Sequence, residues 1–287
     1  MAHLMDGIGA IDCMISFPAE DFTMYDFIRD QLKDSESTDF EFPVEYMFKG
    51  VPKELYGSGD PISLTLGEMD KYNIEIGLIG CEGEVSIKAL KDHPDRFIAQ
   101  SNVDPNDVVG AVRKIRREHD EFGTRSVGAF PAGCSPQVPI DDPKFYPVYA
   151  TCCELDLPIF VCAGVPGPRL PMSAQHVERI DQVMYDFPEL TFVTRHGCEP
   201  WEDLAVKLML KWPGLHFSTS AFAPKHYPEA IINYANTRGA DKILYAGYFP
   251  MGLSIERIMT EMRDVPFRDH VWPKFLRGNA ARILKLD

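Results

Sequence analysis

Pro158-Ile159-Phe160-Val161-Cys162-Ala163-Gly164 is a short apolar run that closes on glycine. No polar residue alternates with the apolar ones, so it reads as a strand buried on both faces, the kind found in parallel sheets. Seven further runs share its length and character. Upstream lie GAIDCMIS (9–16), EIGLIG (75–80), FIAQSNV (97–103) and RSVGAFP (125–131). Downstream lie TFVTRHG (191–197), HFSTSA (216–221) and KILYAGYFP (242–250). Most contain β-branched residues or stop at Gly or Pro.

Between these runs the apolar period changes from two to that of a helix. Pro105 and Asn106 open one helix, with Val108, Val109, Val112 and Ile115 as its apolar stripe. Arg113, Lys114, Arg116 and Arg117 then fall on its wet side. Pro200 and Trp201 open another, with Leu204, Ala205, Leu208 and Met209 at helical spacing. Asp181 to Phe187 and Ile255 to Met262 behave alike. Eight alternations of strand and helix predict an α/β fold, a single (β/α)₈ TIM barrel spanning residues 1–287. An open doubly wound sheet is the alternative. No GxGxxG follows the first strand, so the usual dinucleotide fingerprint is missing.

Residues 17 to about 66 break the alternation. This stretch holds Pro18, Pro43, Pro52 and Pro61 and the aromatics Phe40, Phe42, Tyr46, Phe48 and Tyr56. Leaving from the C-terminal end of the first strand, it is expected over the barrel mouth, as a lid or a subunit contact. A homodimer is the expected assembly.

The 287 residues are 45% hydrophobic and 25% charged, enough to fill one large core. A net charge of −14 argues against nucleic acid or an anionic membrane as partner, and leaves room for a local basic pocket that takes a small carboxylate. Seven scattered cysteines form no CxxC pair, so reduced thiols in a cytoplasmic protein are expected. No apolar run approaches the ~18 residues a membrane span needs.

Four segments carry a family resemblance. FLRGNAARIL (275–284), DLPIFVCAG (156–164), FPELTFVTRHGCEPW (187–201) and ILYAGYFP (243–250) resemble amidohydrolase-related proteins, the group that includes aminocarboxymuconate-semialdehyde decarboxylase. The resemblance runs from Ile11 to Leu286 and implies a TIM barrel with its site at the strand ends. It also implies a divalent metal held by a first-strand Asp-x-His-x-His, a fifth-strand His, a sixth-strand His and an eighth-strand Asp. At those positions this chain has Asp12 followed by Met14 and Ser16, then Cys162, His196 and Tyr248. The Lys-x-His-Pro that relatives often carry after the fourth strand is replaced by Gly128-Ala129-Phe130-Pro131. A thioether and a hydroxyl are poor substitutes for imidazoles on zinc or manganese, so no family-type metal centre is expected. The alternative is zinc on His196, Cys162 and Cys198.

Without a metal, His196 is the expected acid–base group, since an imidazole titrates near neutrality. Strand alternation aims either Arg195 or His196 inward, and the resemblance implies His196. The same alternation is expected to put Asp12, Met14 and Ser16 inside together and to turn Cys13 away. Asp12, Tyr248 and Cys162 complete the expected catalytic set, Tyr248 as a hydrogen-bond donor and Cys162 as a nucleophile. Arg169, Lys225 and His226 are the expected grip on a substrate carboxylate, with Ser16, Met14 and Glu199 lining the site. Glu199 is equally placed to cap the next helix. The expected function is a hydrolase acting on a small organic acid or its derivative. The alternatives are a decarboxylase of aromatic or dienoic carboxylates and a catalytically silent ligand-binding barrel.

Overall fold

The computed structural model describes residues 4–48 and 50–286. Eight parallel strands pair in chain order: β1 (Ala10–Asp12), β2 (Ile74–Gly80), β3 (Phe97–Val103), β4 (Ser126–Ala129), β5 (Ile159–Cys162), β6 (Phe192–Arg195), β7 (Leu215–Ser218) and β8 (Ile243–Leu244). The helices are α1 (Asp26–Arg29), α2 (Ser35–Asp39), α3 (Pro61–Lys71), α4 (Glu84–Asp92), α5 (Val108–Phe122) and α6 (Tyr146–Glu154). They continue with α7 (Arg179–Asp186), α8 (Glu202–Lys211), α9 (Glu229–Tyr234), α10 (Ile255–Met262) and α11 (Asn279–Leu284). The barrel expected from the eight runs is therefore present, with each strand inside its run or within a residue of it.

No extended ladder joins β8 to β1. The circle closes through Cys13 N donating to Tyr245 O at 3.2 Å, Ser16 N to Phe249 O at 2.9 Å, and a parallel bridge between Ile15 and Phe249. The Asp12 carboxylate adds a side-chain link, accepting from Gly247 N at 2.7 Å.

The capping signals are local. Asp60 accepts from Ser63 N ahead of α3, where Pro61 lacks an N–H that would go unused. Asp107 accepts from Gly110 N ahead of α5, which stops at Gly123 with a left-handed φ of 60°. On α10, Ile255, Ile258, Met259 and Met262 are buried, and each such side chain contributes roughly 1.5–3 kcal/mol. The buried face of α5 is Ala111, Ile115 and Glu118. Of the expected stripe Ile115 is buried, Val108 and Val112 are half-buried and Val109 is exposed, so the inner face is rotated from that stripe. The polar member, Glu118, accepts from Ser101 Oγ at 2.5 Å and Cys81 Sγ at 3.2 Å.

Two layers of apolar side chains follow from the strand period. Ile11, Cys13, Leu78, Phe160, Val193, Leu244 and Ala246 fill the barrel, and Ala280, Ala281, Ile283 and Leu284 of α11 plug its N-terminal end. Residues of the other parity, such as Ile79, Val127, Phe192 and Phe217, pack outward against the helices. Cys13 thus faces the interior, contrary to the alternation expected from Met14 and Ser16. Strand β1 ends at Asp12, whose side chain accepts from Met14 N at 2.9 Å and turns the chain out of strand geometry. Met14 still packs on the interior cluster, but Ile15 joins the outer one.

Residues 17–57 contact the loops after β4, β5 and β8. Gln31 Nε2 donates to Gly133 O at 2.8 Å and Tyr46 Oη to Gly167 O at 2.5 Å. Arg169 holds Asp34 at 2.5 Å and Glu36 at 2.8 Å. Tyr25, Phe42 and Val44 form a small core of their own, flanked by Phe22, Phe48 and the barrel residue Tyr248. Most of the aromatics in this segment therefore point inward, and Phe27, Tyr46 and Met47 remain exposed.

Candidate active site

At the C-terminal ends of the strands the inward positions become polar. Gln100 and Asn102 come from β3, Cys162 from β5, Arg195 from β6, and His196 and Tyr248 from the turns just beyond β6 and β8. Gly128 makes room for the amides, since a Cβ there would sit 2.4 Å from Asn102 Oδ1 and 2.7 Å from Gln100 Oε1.

Arg195 lies at the centre of this group and is only 8% exposed. Its Nη2 donates to Gln100 Oε1, and its guanidinium sits over the Phe160 ring, 5.3 Å from the centroid. Gln100 is oriented by its own amide, which donates to Ser126 Oγ at 2.9 Å. Nε of Arg195 is buried with no acceptor. The ionisable groups whose charge reaches it are Cys162, Cys13 and Tyr248. Burial pushes the Cys162 thiol up to about 12 and raises the Cys13 thiol and Tyr248 phenol too, so all three are neutral at pH 7.

His196 follows directly, and its backbone makes this possible. A left-handed φ of 66° breaks strand alternation, so both Arg195 and His196 join the same group. Its N–H donates to Ser220 Oγ at 3.2 Å, and the same hydroxyl lies 3.3 Å from Nδ1. The ring meets Tyr248 edge-on at 5.5 Å, and Tyr248 in turn meets Phe48 at 5.5 Å. Burial and then the Arg195 charge lower the imidazole to about 3, so His196 is neutral across the physiological range.

Of the residues expected from sequence, His196, Tyr248 and Cys162 are thus gathered around Arg195. Met14 and Ser16 are both half-buried, and the Ser16 backbone N–H makes the closing bond to Phe249 O. Asp12 points to the β1–β8 closure, beside Tyr245, rather than toward His196. Arg169 is occupied by Asp34 and Glu36 and stacks over Tyr46 at 4.7 Å, which makes it a fastener for the inserted segment. Lys225 faces Glu261 of α10 at 3.7 Å, and His226 beside it is exposed. The Glu199 side chain does not cap α8, whose first turn has no side-chain cap. Arg195 is the member that sequence reasoning passed over, because strict alternation allows only one of two adjacent residues to face inward.

The donor set does not fit a metal. Cys198, reached through Gly197 and a φ of 62°, packs in the outer layer with its thiol toward Thr194, on the far side of the strand from Cys162. Among the described residues no three of His, Cys, Asp and Glu converge where they could hold a metal ion. The zinc alternative of His196, Cys162 and Cys198 is withdrawn on that geometry. The same holds for the divalent metal implied by the resemblance: of its ligand positions only His196 offers an imidazole, the others holding a thioether, a hydroxyl, a thiol and a phenol.

A closed parallel barrel with its polar side chains collected at the strand ends is a TIM-barrel protein with a strand-end site. The family model described as amidohydrolase matches residues 84–286, and the chain belongs to that family. Among solved structures it is similar to an uncharacterised TIM-barrel protein from Bordetella bronchiseptica, with 23% identity and a TM-score of 0.77 over 96% of this chain and 98% of the other. It is also similar to 2,6-dihydroxybenzoate decarboxylase from Rhizobium, with 17% identity and a TM-score of 0.68 over 98% and 99%. A third is a 5-carboxyvanillate decarboxylase from Novosphingobium aromaticivorans solved with manganese, with 17% identity and a TM-score of 0.67 over 98% and 97%. No curated protein matches the chain. Among the described residues no helix is long and apolar enough to cross a membrane.

Proposed function

We propose that the protein is a metal-independent hydrolase that acts on a small organic acid or its derivative at the barrel mouth, with His196 as general base. The observation that carries this reading is a neutral, half-buried imidazole, held by the Ser220 hydroxyl and set against Tyr248, beside a buried cation. The imidazole is unprotonated at neutral pH and so free to accept the proton of a water attacking a carbonyl. An anion that offsets the Arg195 charge would raise it from about 3 toward the range where a base is effective. Tyr248 keeps its proton and supplies a hydrogen bond to the oxygen that gains charge. Cys162 is a poor nucleophile here, because burial holds its thiol protonated.

The second reading is decarboxylation, favoured by the decarboxylases among the similar structures. The electrostatics at Arg195 count against it for a monoacid. A guanidinium on the carboxylate that leaves stabilises the ground state more than the transition state, in which that charge moves away. Loss of CO₂ is thus favoured when the leaving carboxylate lies away from Arg195, as in a diacid held by its other carboxylate.

The test is turnover on a panel of lactones, esters and ring carboxylates, with His196→Gln as the comparison. Hydrolysis by the parent protein, falling roughly 10²–10⁴-fold in the variant with its fold retained, supports the assignment. Unchanged turnover in the variant sinks it. Release of CO₂ from a diacid favours the second reading.

A further inference from the structure

We propose that Arg195 is the anchor for the substrate carboxylate, and that the ligand class is a small monocarboxylate whose charge completes an ion pair inside the barrel. This rests on the reading of the mouth as a site for a small acid, and it names the residue and the charge on which that site is built.

A guanidinium cannot shed its proton to escape burial, so nature ordinarily pairs a buried arginine with an acid. Arg195 has Gln100 Oε1, the Phe160 ring face and an unmatched Nε. These contacts do not offset the cost of burying the charge, and an apolar residue would fill the space without the desolvation penalty. The neighbours do not supply a counter-charge, since Cys162, Cys13 and Tyr248 all hold their protons. Gln100, oriented by Ser126, holds the guanidinium in place without neutralising it. What is absent is one negative charge with planar acceptor geometry, and a carboxylate fits it, because a single arginine balances a monoanion rather than a dianionic phosphate.

The anchor also acts on the base. The Arg195 charge is one of the two causes that keep His196 from binding a proton, burial being the larger. A carboxylate on Arg195 removes that repulsion and makes His196 a stronger base only when substrate is present.

The experiment is calorimetric titration of the full chain with benzoate, benzamide and phenyl phosphate, repeated on Arg195→Gln. Benzoate is expected to bind, benzamide not to bind, and phenyl phosphate to bind more weakly than benzoate. In the variant, benzoate affinity is expected to fall about a hundredfold. The apo variant is expected to melt at or above the parent temperature, because an unpaired buried charge has been removed, whereas a purely structural arginine would lower it. Equal binding of benzoate and benzamide, tighter binding of the phosphate, a lower melting temperature, or undiminished benzoate binding by the variant each overturns the proposal. Arginine-dependent benzoate binding without turnover of any panel compound would overturn the hydrolase reading and leave the anchor standing. Turnover of neutral esters that needs His196 but is indifferent to Arg195 would do the reverse.

Discussion

Asp12 is a fully buried carboxyl that accepts backbone bonds from Met14 and Gly247, yet burial outweighs them and raises it to about 7. Its second oxygen faces the Tyr245 hydroxyl, which favours the charged carboxyl but by less than burial opposes it. An unfolded aspartate loses its proton near 4, so between about pH 4 and pH 7 the folded chain holds a proton that the unfolded chain has released. Stability therefore falls as pH rises through that window and levels off above it. Asp12→Asn keeps an acceptor oxygen but does not titrate, and is expected to flatten this slope in urea melts. The full span is of order 4 kcal/mol by linkage. A parent curve equally flat from pH 4 to pH 8 would refute the assignment. At this scale the sequence was half legible. His196, Tyr248 and Cys162 could be placed at strand ends by their positions in the runs. Arg195 could not, because the positive φ at His196 that lets both residues face the site leaves no trace in composition or spacing.

Among the elements, the inserted segment differs most from the barrel in how it is held. The strands are bound by backbone ladders and the helices by buried stripes, but residues 17–57 depend on a small aromatic core and the Arg169 pairs. Those pairs are exposed and screened by salt, so they contribute to position more than to global stability. Arg169→Ala is expected to make the segment several-fold more sensitive to limited proteolysis and to speed benzoate association, with little change in the melting temperature. Protection equal to the parent would show that the aromatic core alone holds the segment. The strands were readable because a buried parallel strand has a short apolar signature. The segment was not, since its fold depends on contacts with Gly133, Gly167 and Tyr248, more than 80 residues distant in sequence. The expected stripe of α5 was partly displaced for a related reason: Ser101 and Cys81 satisfy Glu118, which lets a carboxylate share the inner face with Ile115.

For the whole molecule, a family barrel has kept its architecture while the residues at its implied metal positions have changed chemistry. Protein purified without chelator is expected to hold well below a tenth of an equivalent of zinc or manganese per chain by elemental mass spectrometry. A full equivalent would require a donor set other than the one described. The net charge of −14 makes the surface on average repulsive to an anion, so a carboxylate ligand needs a local cation such as Arg195 to hold it.

The barrel is also a sheet with a fastening. From β2 to β6 each strand holds its neighbour through three or four paired residues, but β8 meets β1 through one bridge, two backbone bonds and the Asp12 side chain. Small fluctuations part such a circle at its clasp, while the opposite wall stays shut. The amides of Cys13, Ser16 and Gly247 should thus trade their hydrogens for deuterium long before those of Val127 or Val161. The interior of this protein would then open first along one edge, where the Asp12 carboxylate is one of the few ties.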